Sequence, residues 1–180
     1  MRLFVGIALP EDLRARLSGM QRGVPAARWI DPDNLHLTLR FVGEIDSVQA
    51  QDLDTALVQV RAARFGMTLA GVGCFGQGRK SRALWVGVAP VPELDRLQHR
   101  VERAVQVAGL SPEGRRFKSH ITLARFKGDP GHWLDHHLAQ HAAFRAGSFE
   151  VREFVLYSSL LAQAGAIYTP EAIYPLSPAP

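Results

Sequence analysis

The chain predicts an α+β fold: a bilobal, pseudo-two-fold arrangement of two mainly antiparallel sheets with flanking helices around a central cleft. Three observations carry this. The tetrapeptide His-Xaa-Thr-Leu occurs twice, as His36-Leu37-Thr38-Leu39 and His120-Ile121-Thr122-Leu123, 84 residues apart and thus about half a chain. Strand-like and helix-like segments alternate without the regular spacing of a doubly wound parallel sheet. The 180 residues contain no linker or low-complexity stretch, so residues 1–180 are expected to form a single domain of two lobes.

Residues 2–9 are an apolar run that reads as a core strand; the run is short for a signal peptide and ends in Pro-Glu-Asp. Pro10 opens a helix with Leu13, Leu17 and Met20 on one face, ended by Gly23. A short strand around Arg28-Trp29-Ile30 leads to a turn at residues 31–34, where Asp, Pro and Asn cluster. The first motif strand covers about 35–42. Asp46 or Ser47 caps a helix over about 47–63 that buries Leu53, Leu57 and Val60. Strands over 65–73 and 83–88 flank a glycine-rich loop. Pro92 starts a helix to Gly109 with Leu94, Leu97, Val101 and Val105 inward. The second motif strand covers about 118–125, a short helix runs from Trp133 to about Ala143, and one long strand from Phe149 to Leu161 pairs with 165–174 as a hairpin. The Pro-rich tail after Tyr174 is expected to fray.

On a strand, residues i and i+2 share a face. His36 with Thr38, and His120 with Thr122, therefore project together while the leucines and Ile121 point into a core. Facing strands would give a cleft two imidazoles and two hydroxyls, a set suited to acid–base chemistry at phosphorus. The repeat extends further: each motif is followed by an Arg-Phe pair, Arg40-Phe41 and Arg125-Phe126, and then a glycine.

The net charge is +4 and the isoelectric point about 9.7. Arg115, Arg116 and Lys118 lead into the second motif, Arg125 and Lys127 follow it, and Arg79, Lys80 and Arg82 form another cluster. Cations beside a candidate catalytic strand point to an anionic substrate, and phosphate carried by nucleic acid is the natural candidate. No apolar run reaches the roughly 18 residues that span a bilayer, and no membrane partner is expected. The one cysteine, Cys74, permits neither an intrachain disulfide nor a thiolate cluster, which is compatible with the cytoplasm.

Other constellations are weaker. Residues 73–81 resemble a phosphate-binding loop, but Arg79 intervenes between Gly78 and Lys80 and a strand follows where a helix is required. His132, His136, His137 and His141 crowd one helix; without an acidic ligand they read as a solvated histidine-rich face, and no metal is assigned. The three tryptophans read as core, and the phenylalanines as core or base-stacking surfaces, with the residues alone giving no choice.

The paired motifs resemble the two-histidine (2H) phosphoesterase superfamily, and within it the RNA 2′,3′-cyclic phosphodiesterases of LigT/ThpR type, historically called 2′-5′ RNA ligases. The likeness runs through residues 2–10, Trp29, 34–44, 84–88, 117–125 and 154–160, in family order. It implies hydrolysis of an RNA 3′-terminal 2′,3′-cyclic phosphate to a 2′-phosphomonoester without metal or cofactor. It also implies His36 as proton donor and His120 as proton acceptor, an assignment that pseudo-symmetry leaves reversible in the sequence. Thr38 and Thr122 would bind the non-bridging oxygens, and Arg125 either adds positive charge there or anchors its loop. Expected partners are RNA 3′ ends, tRNA fragments among them, bound by a cytoplasmic monomer. The alternatives are 2′-5′ ligation by the same site, opening of a small cyclic nucleotide-derived phosphate, and non-catalytic binding of RNA ends.

Overall fold

The computed structural model describes residues 1–162 and 165–179. In chain order the elements are β1 (Arg2–Ala8), α1 (Glu11–Ser18), β2 (Ala27–Trp29), β3 (His36–Glu44), α2 (Ser47–Val58), β4 (Phe65–Phe75), β5 (Ala83–Val88), α3 (Pro92–Val107), β6 (His120–Phe126), α4 (Gly131–Gln140), β7 (Arg145–Val151), β8 (Glu153–Ala162) and β9 (Gly165–Pro175). Short 3₁₀ turns occupy Pro32–Asn34 and Gly78–Lys80.

The α+β class and the antiparallel pairing are as expected. The strands run in the order β7-β4-β5-β6-β3-β1-β8-β9, with β2 added beside β6. Two four-stranded halves are discernible along this path, β7-β4-β5-β6 and β3-β1-β8-β9, each with its motif strand at the inner edge. They meet at β3 and β6, where a single residue pair, Leu37 with Ile121, joins the ladders. One pair is enough to hold the motifs side by side, and it leaves the halves free to splay into a cleft.

The helices divide between the halves. Helices α2 and α3 pack on each other and against β3 and β9. Segments 11–22 and 131–141 lie by the other half: Gln21 donates to the Leu123 carbonyl at 3.1 Å, Arg16 to Arg145 at 3.1 Å, and His137 to Met20 at 2.8 Å. Asp46, the better of the two expected caps, forms a capping box with Gln49 at the start of α2. Leu13, Leu17, Leu53, Leu57, Leu94, Leu97, Val101 and Val105 are all buried as their helical spacing predicts, in one apolar cluster that also takes Leu37, Leu39, Ile121 and Leu123.

Several boundaries and environments depart from expectation. The long strand read over 149–161 is two strands broken at Arg152. Phe149 and Val151 pair with β4, whereas residues from Phe154 onward pair with β1 and β9, so the chain crosses between halves at that point. A continuous apolar run carries no mark of such a crossing. The tail does not fray after Tyr174: Leu176 is buried, and Ser177 exchanges backbone hydrogen bonds with Ala62 and Arg64. His137 is not on a solvated face; it is 2% exposed, with Nε2–H given to the Met20 carbonyl. Trp133, in contrast, is 47% exposed and is not core.

Candidate active site

Strands β3 and β6 present the same alternation of half-buried and buried residues over their first seven positions. His36 and His120 start them, Thr38 and Thr122 sit two residues on, and the intervening Leu37 and Ile121 are fully buried. Both strands then bulge at the same place. Val5 and Gly6 of β1 face Arg40 and Thr38, skipping Leu39; Leu84 and Trp85 of β5 face Ala124 and Thr122, skipping Leu123. A bulge inverts the alternation beyond it. Leu39 and Arg40 are therefore buried in succession, as are Leu123 and Ala124, and the next residue of each strand emerges into the cleft.

The bulges correct the Arg-Phe repeat read from the sequence. Aligned by structure, Arg40 matches Ala124, and Phe41 matches Arg125; the two Arg-Phe pairs are offset by one residue. Arg40 is 8% exposed, with Nε 2.5 Å from Glu102 of α3. It also donates to the carbonyls of Phe41 and Ser111 and lies 3.8 Å from Glu113. Burial opposes ionisation of Glu102, but hydrogen bonds from Gln106, the Glu113 amide and Arg40 hold its carboxyl below the usual range. Arg40 thus fastens the loop that leads into the second motif. Arg125 is exposed at the cleft, and Phe41, 49% exposed, lies at the equivalent place on the other wall.

The cleft encloses about 460 Å³. All five residues singled out from the sequence line it: His36, Thr38, His120, Thr122 and Arg125. Phe41, Tyr168 and Phe75 line it too, and were not singled out. Phe41 carries a readable signal in hindsight, since it occupies the position of Arg125 counted from the histidine. Tyr168 and Phe75 carry none, because neither lies near a motif in the chain.

Each imidazole is oriented from behind. The His36 Nδ1–H donates to the Asn34 carbonyl at 2.7 Å, and the His120 Nδ1–H to the Lys118 carbonyl at 2.6 Å. A carbonyl only accepts, so both rings carry their neutral-state proton on Nδ1 and leave Nε2 for chemistry. Aromatic rings hold them in place: Phe4 is 4.8 Å from His36 and Tyr168 meets it edge-on at 5.3 Å, while Phe75 meets His120 edge-on at 4.8 Å. Trp85 lies beneath the second site, and Gly73 lets it lie there. A Cβ at Gly73 would fall 2.3 Å from the indole ring.

The histidines differ in their second nitrogen. His36 Nε2 is 2.9 Å from the Thr38 hydroxyl, from which the neutral ring accepts. His36 is also the more perturbed: burial, with the charges of His120 and Arg125, pushes its pKa down to about 4 against the pull of the Asn34 carbonyl. His120 is lowered as well, by burial first and then by Lys118 and Arg125, with the Lys118 carbonyl opposing. Both shifts favour the neutral imidazole near pH 7, and the positive charge around the pair suits the cleft to an anion.

The LigT-like phosphoesterase model matches twice, over residues 7–85 and 86–168. The chain is 37% identical over 159 residues to an RNA 2′,3′-cyclic phosphodiesterase of Aeropyrum pernix, covering 86% of this chain and 89% of that protein. It is 31% identical over 180 residues to the Escherichia coli protein of the same name, covering 94% and 93%. The crystal structure of E. coli LigT complexed with 3′-AMP superimposes with a TM-score of 0.81 at 28% identity, covering 97% of each chain. The MHV ns2 PDE domain, at 13% identity and a TM-score of 0.60, shares the fold. Two matches to one family model, each containing one His-Xaa-Thr motif, agree with the paired bulged strands, and the protein belongs to the LigT-like phosphoesterase family.

Proposed function

We propose that the protein opens RNA 3′-terminal 2′,3′-cyclic phosphates to 2′-phosphomonoesters, with residues 1–180 working as one catalytic unit. The observation that carries the reading is the pair of imidazoles set in one cleft, each with Nδ1 tied to a backbone carbonyl so that Nε2 is the nitrogen left to exchange a proton. The names of the relatives supply the substrate class.

Opening the ring toward a 2′-phosphate requires water to attack phosphorus opposite O3′. His120 takes the water proton as the new P–O bond forms. The P–O3′ bond breaks, and His36 gives its proton to O3′. After release His120 returns a proton to solvent and His36 regains one. His36 must therefore be protonated when substrate is bound, although burial holds its pKa at about 4. The phosphodiester supplies the correction: its negative charge offsets Arg125 and raises the pKa of both imidazoles. Thr38 and Thr122 donate to the non-bridging oxygens, where charge grows in the transition state, and Arg125 adds a guanidinium there. Phe41, facing the cleft from the opposite wall, offers a flat apolar surface to the terminal base.

The structure holds no helix among its described residues long and apolar enough to cross a membrane. We take the enzyme to act as a cytoplasmic monomer on RNA ends such as tRNA fragments, using protein groups alone. Incubation in EDTA with a short RNA ending in a 2′,3′-cyclic phosphate tests the reading. A 2′-phosphate product is expected; an untouched end, or loss of activity restored by added metal, would overturn it.

A further inference from the structure

The residues lining the cleft beside the two motifs differ in charge. Beside the first motif the lining is Asn34, Phe41 and Tyr168, with Arg40, whose charge is taken up by Glu102. On the side of the second motif the rim is Arg82, Arg115, Arg116 and Lys118. Arg82, Arg116 and Lys118 are exposed, and among the described residues none has a carboxylate within 4 Å; Arg115 reaches Glu113 at 3.5 Å. A second hollow of about 530 Å³ continues from this rim, bounded by Phe75, Asp95, Arg116, Phe117, Lys118 and Ser119. Phe75, Arg116, Phe117 and Lys118 border both hollows, so the two are contiguous.

We propose that this hollow is a subsite for the nucleotide preceding the terminal one, with Arg116 and Lys118 binding the phosphate that joins the two. The inference rests on the phosphodiesterase reading and adds to it: the enzyme prefers a polynucleotide end to a cyclic mononucleotide. A terminal nucleotide has one acyclic exit, its 5′ oxygen, and a chain continuing from it carries one negative charge per residue. Among the described residues that line the cleft, the exposed cations with no carboxylate within 4 Å are Arg82, Arg116, Lys118 and Arg125, all on or beside β5 and β6. Asp95 is the single carboxylate on the hollow, against two cations, so its net field attracts an anion. Phe75 and Phe117 add ring surface for the preceding base, in a hollow open to solvent from which the rest of the chain can leave. The Lys118 ammonium rests 4.2 Å above the centre of the Trp85 ring, which places its charge at the rim without a salt bridge to break before RNA binds.

The test compares kcat/KM for a nucleoside 2′,3′-cyclic phosphate with that for a dinucleotide and a hexanucleotide of the same terminal base. A rise of at least tenfold from mononucleotide to dinucleotide is expected, with little more for the hexanucleotide. In the Arg116→Gln/Lys118→Gln double variant the ratio should fall toward one; any effect on the shared chemistry cancels in that ratio. Salt supplies a second readout. The wild-type dinucleotide should show the steeper decline of log kcat/KM with log salt, by up to about 0.7 for the one added phosphate, and the variant should lose the difference. Equal wild-type rates for mono- and dinucleotide, or a ratio unchanged in the variant, would overturn the subsite while leaving the phosphodiesterase reading intact. Should neither cyclic end be opened, that reading fails instead. Displacement of a fluorescent RNA by a dinucleotide 2′-phosphate and by the matching mononucleotide then decides the subsite on binding alone: tighter dinucleotide binding that needs Arg116 and Lys118 supports it, and equal binding overturns it.

Discussion

Strands β3 and β6 have the same backbone course and different uses for it. Both set a histidine and a threonine toward the cleft, both bulge at the following leucine, and both bury the next residue and expose the one after. At the buried position β3 has Arg40 and β6 has Ala124. At the exposed position β3 has Phe41 and β6 has Arg125. The duplicated backbone decides where a side chain points, and residue identity then divides the work. Arg40 is spent on structure, tied to Glu102 and to the loop before β6. Arg125 remains available to an anion. A symmetric pair of imidazoles thereby sits in an asymmetric cleft, with an apolar wall on one side and a cationic one on the other. An asymmetric substrate, with a base and a phosphate to place, requires that difference.

The comparison is tested most severely at its symmetric part. His36→Ala and His120→Ala should each lower the rate by on the order of 10²–10⁴ with little change in melting temperature. Full activity in either one would remove the two-histidine mechanism. The arginines should separate cleanly. Arg125→Ala should lower kcat by about 10²–10³ through lost transition-state charge, leaving stability intact. Arg40→Ala leaves Glu102 in a largely buried place without its cation and should cost about 3 kcal/mol, or roughly 10 °C in thermal melts. If Arg40→Ala melts as the wild type does and Arg125→Ala does not, the division of labour is reversed.

Smaller effects sharpen the contrast between walls. Phe41→Ala should lower kcat/KM by about tenfold, within the 1–3 kcal/mol of a base–aromatic stack, and Phe41→Tyr should restore it; an equal loss in both variants would argue against stacking. The pH profile should show the charge asymmetry. Both imidazole pKa values are depressed in the free enzyme, His36 to about 4. The bell for kcat/KM should therefore lie on the acidic side of neutral, with activity falling as pH rises and the proton is lost from the pair. The bound phosphodiester raises both values, so the bell for kcat should lie at higher pH. Coincident profiles would mean that substrate charge does not reach the imidazoles.

Much of this site could be read along the chain. The i, i+2 spacing in His36-Leu37-Thr38 and His120-Ile121-Thr122 is a local property of extended backbone, so the shared cleft face followed directly. The inward helix positions, from Leu13 to Val105, followed from the 3.6-residue period in the same way. Arg40 and Arg125 were a different matter. Their equivalence looked obvious as text, yet each strand's bulge is set by how it pairs with a neighbour, β1 for one and β5 for the other, and only that pairing shows which side of the sheet a later residue takes. The break at Arg152, the docked tail at Leu176 and the buried ring of His137 were hidden for a related reason. Each depends on a partner far away in sequence: β4 and β1, Ala62 and Arg64, and Met20.

The sequence by itself determined the fold class, the two motif strands and the four polar groups they show to the cleft, because strand periodicity and a repeated motif are local and self-contained. The tertiary structure alone decided which arginine is structural, which aromatic faces the cleft and on which side the cations gather, because those outcomes depend on strand register and on contacts between residues that no local period connects.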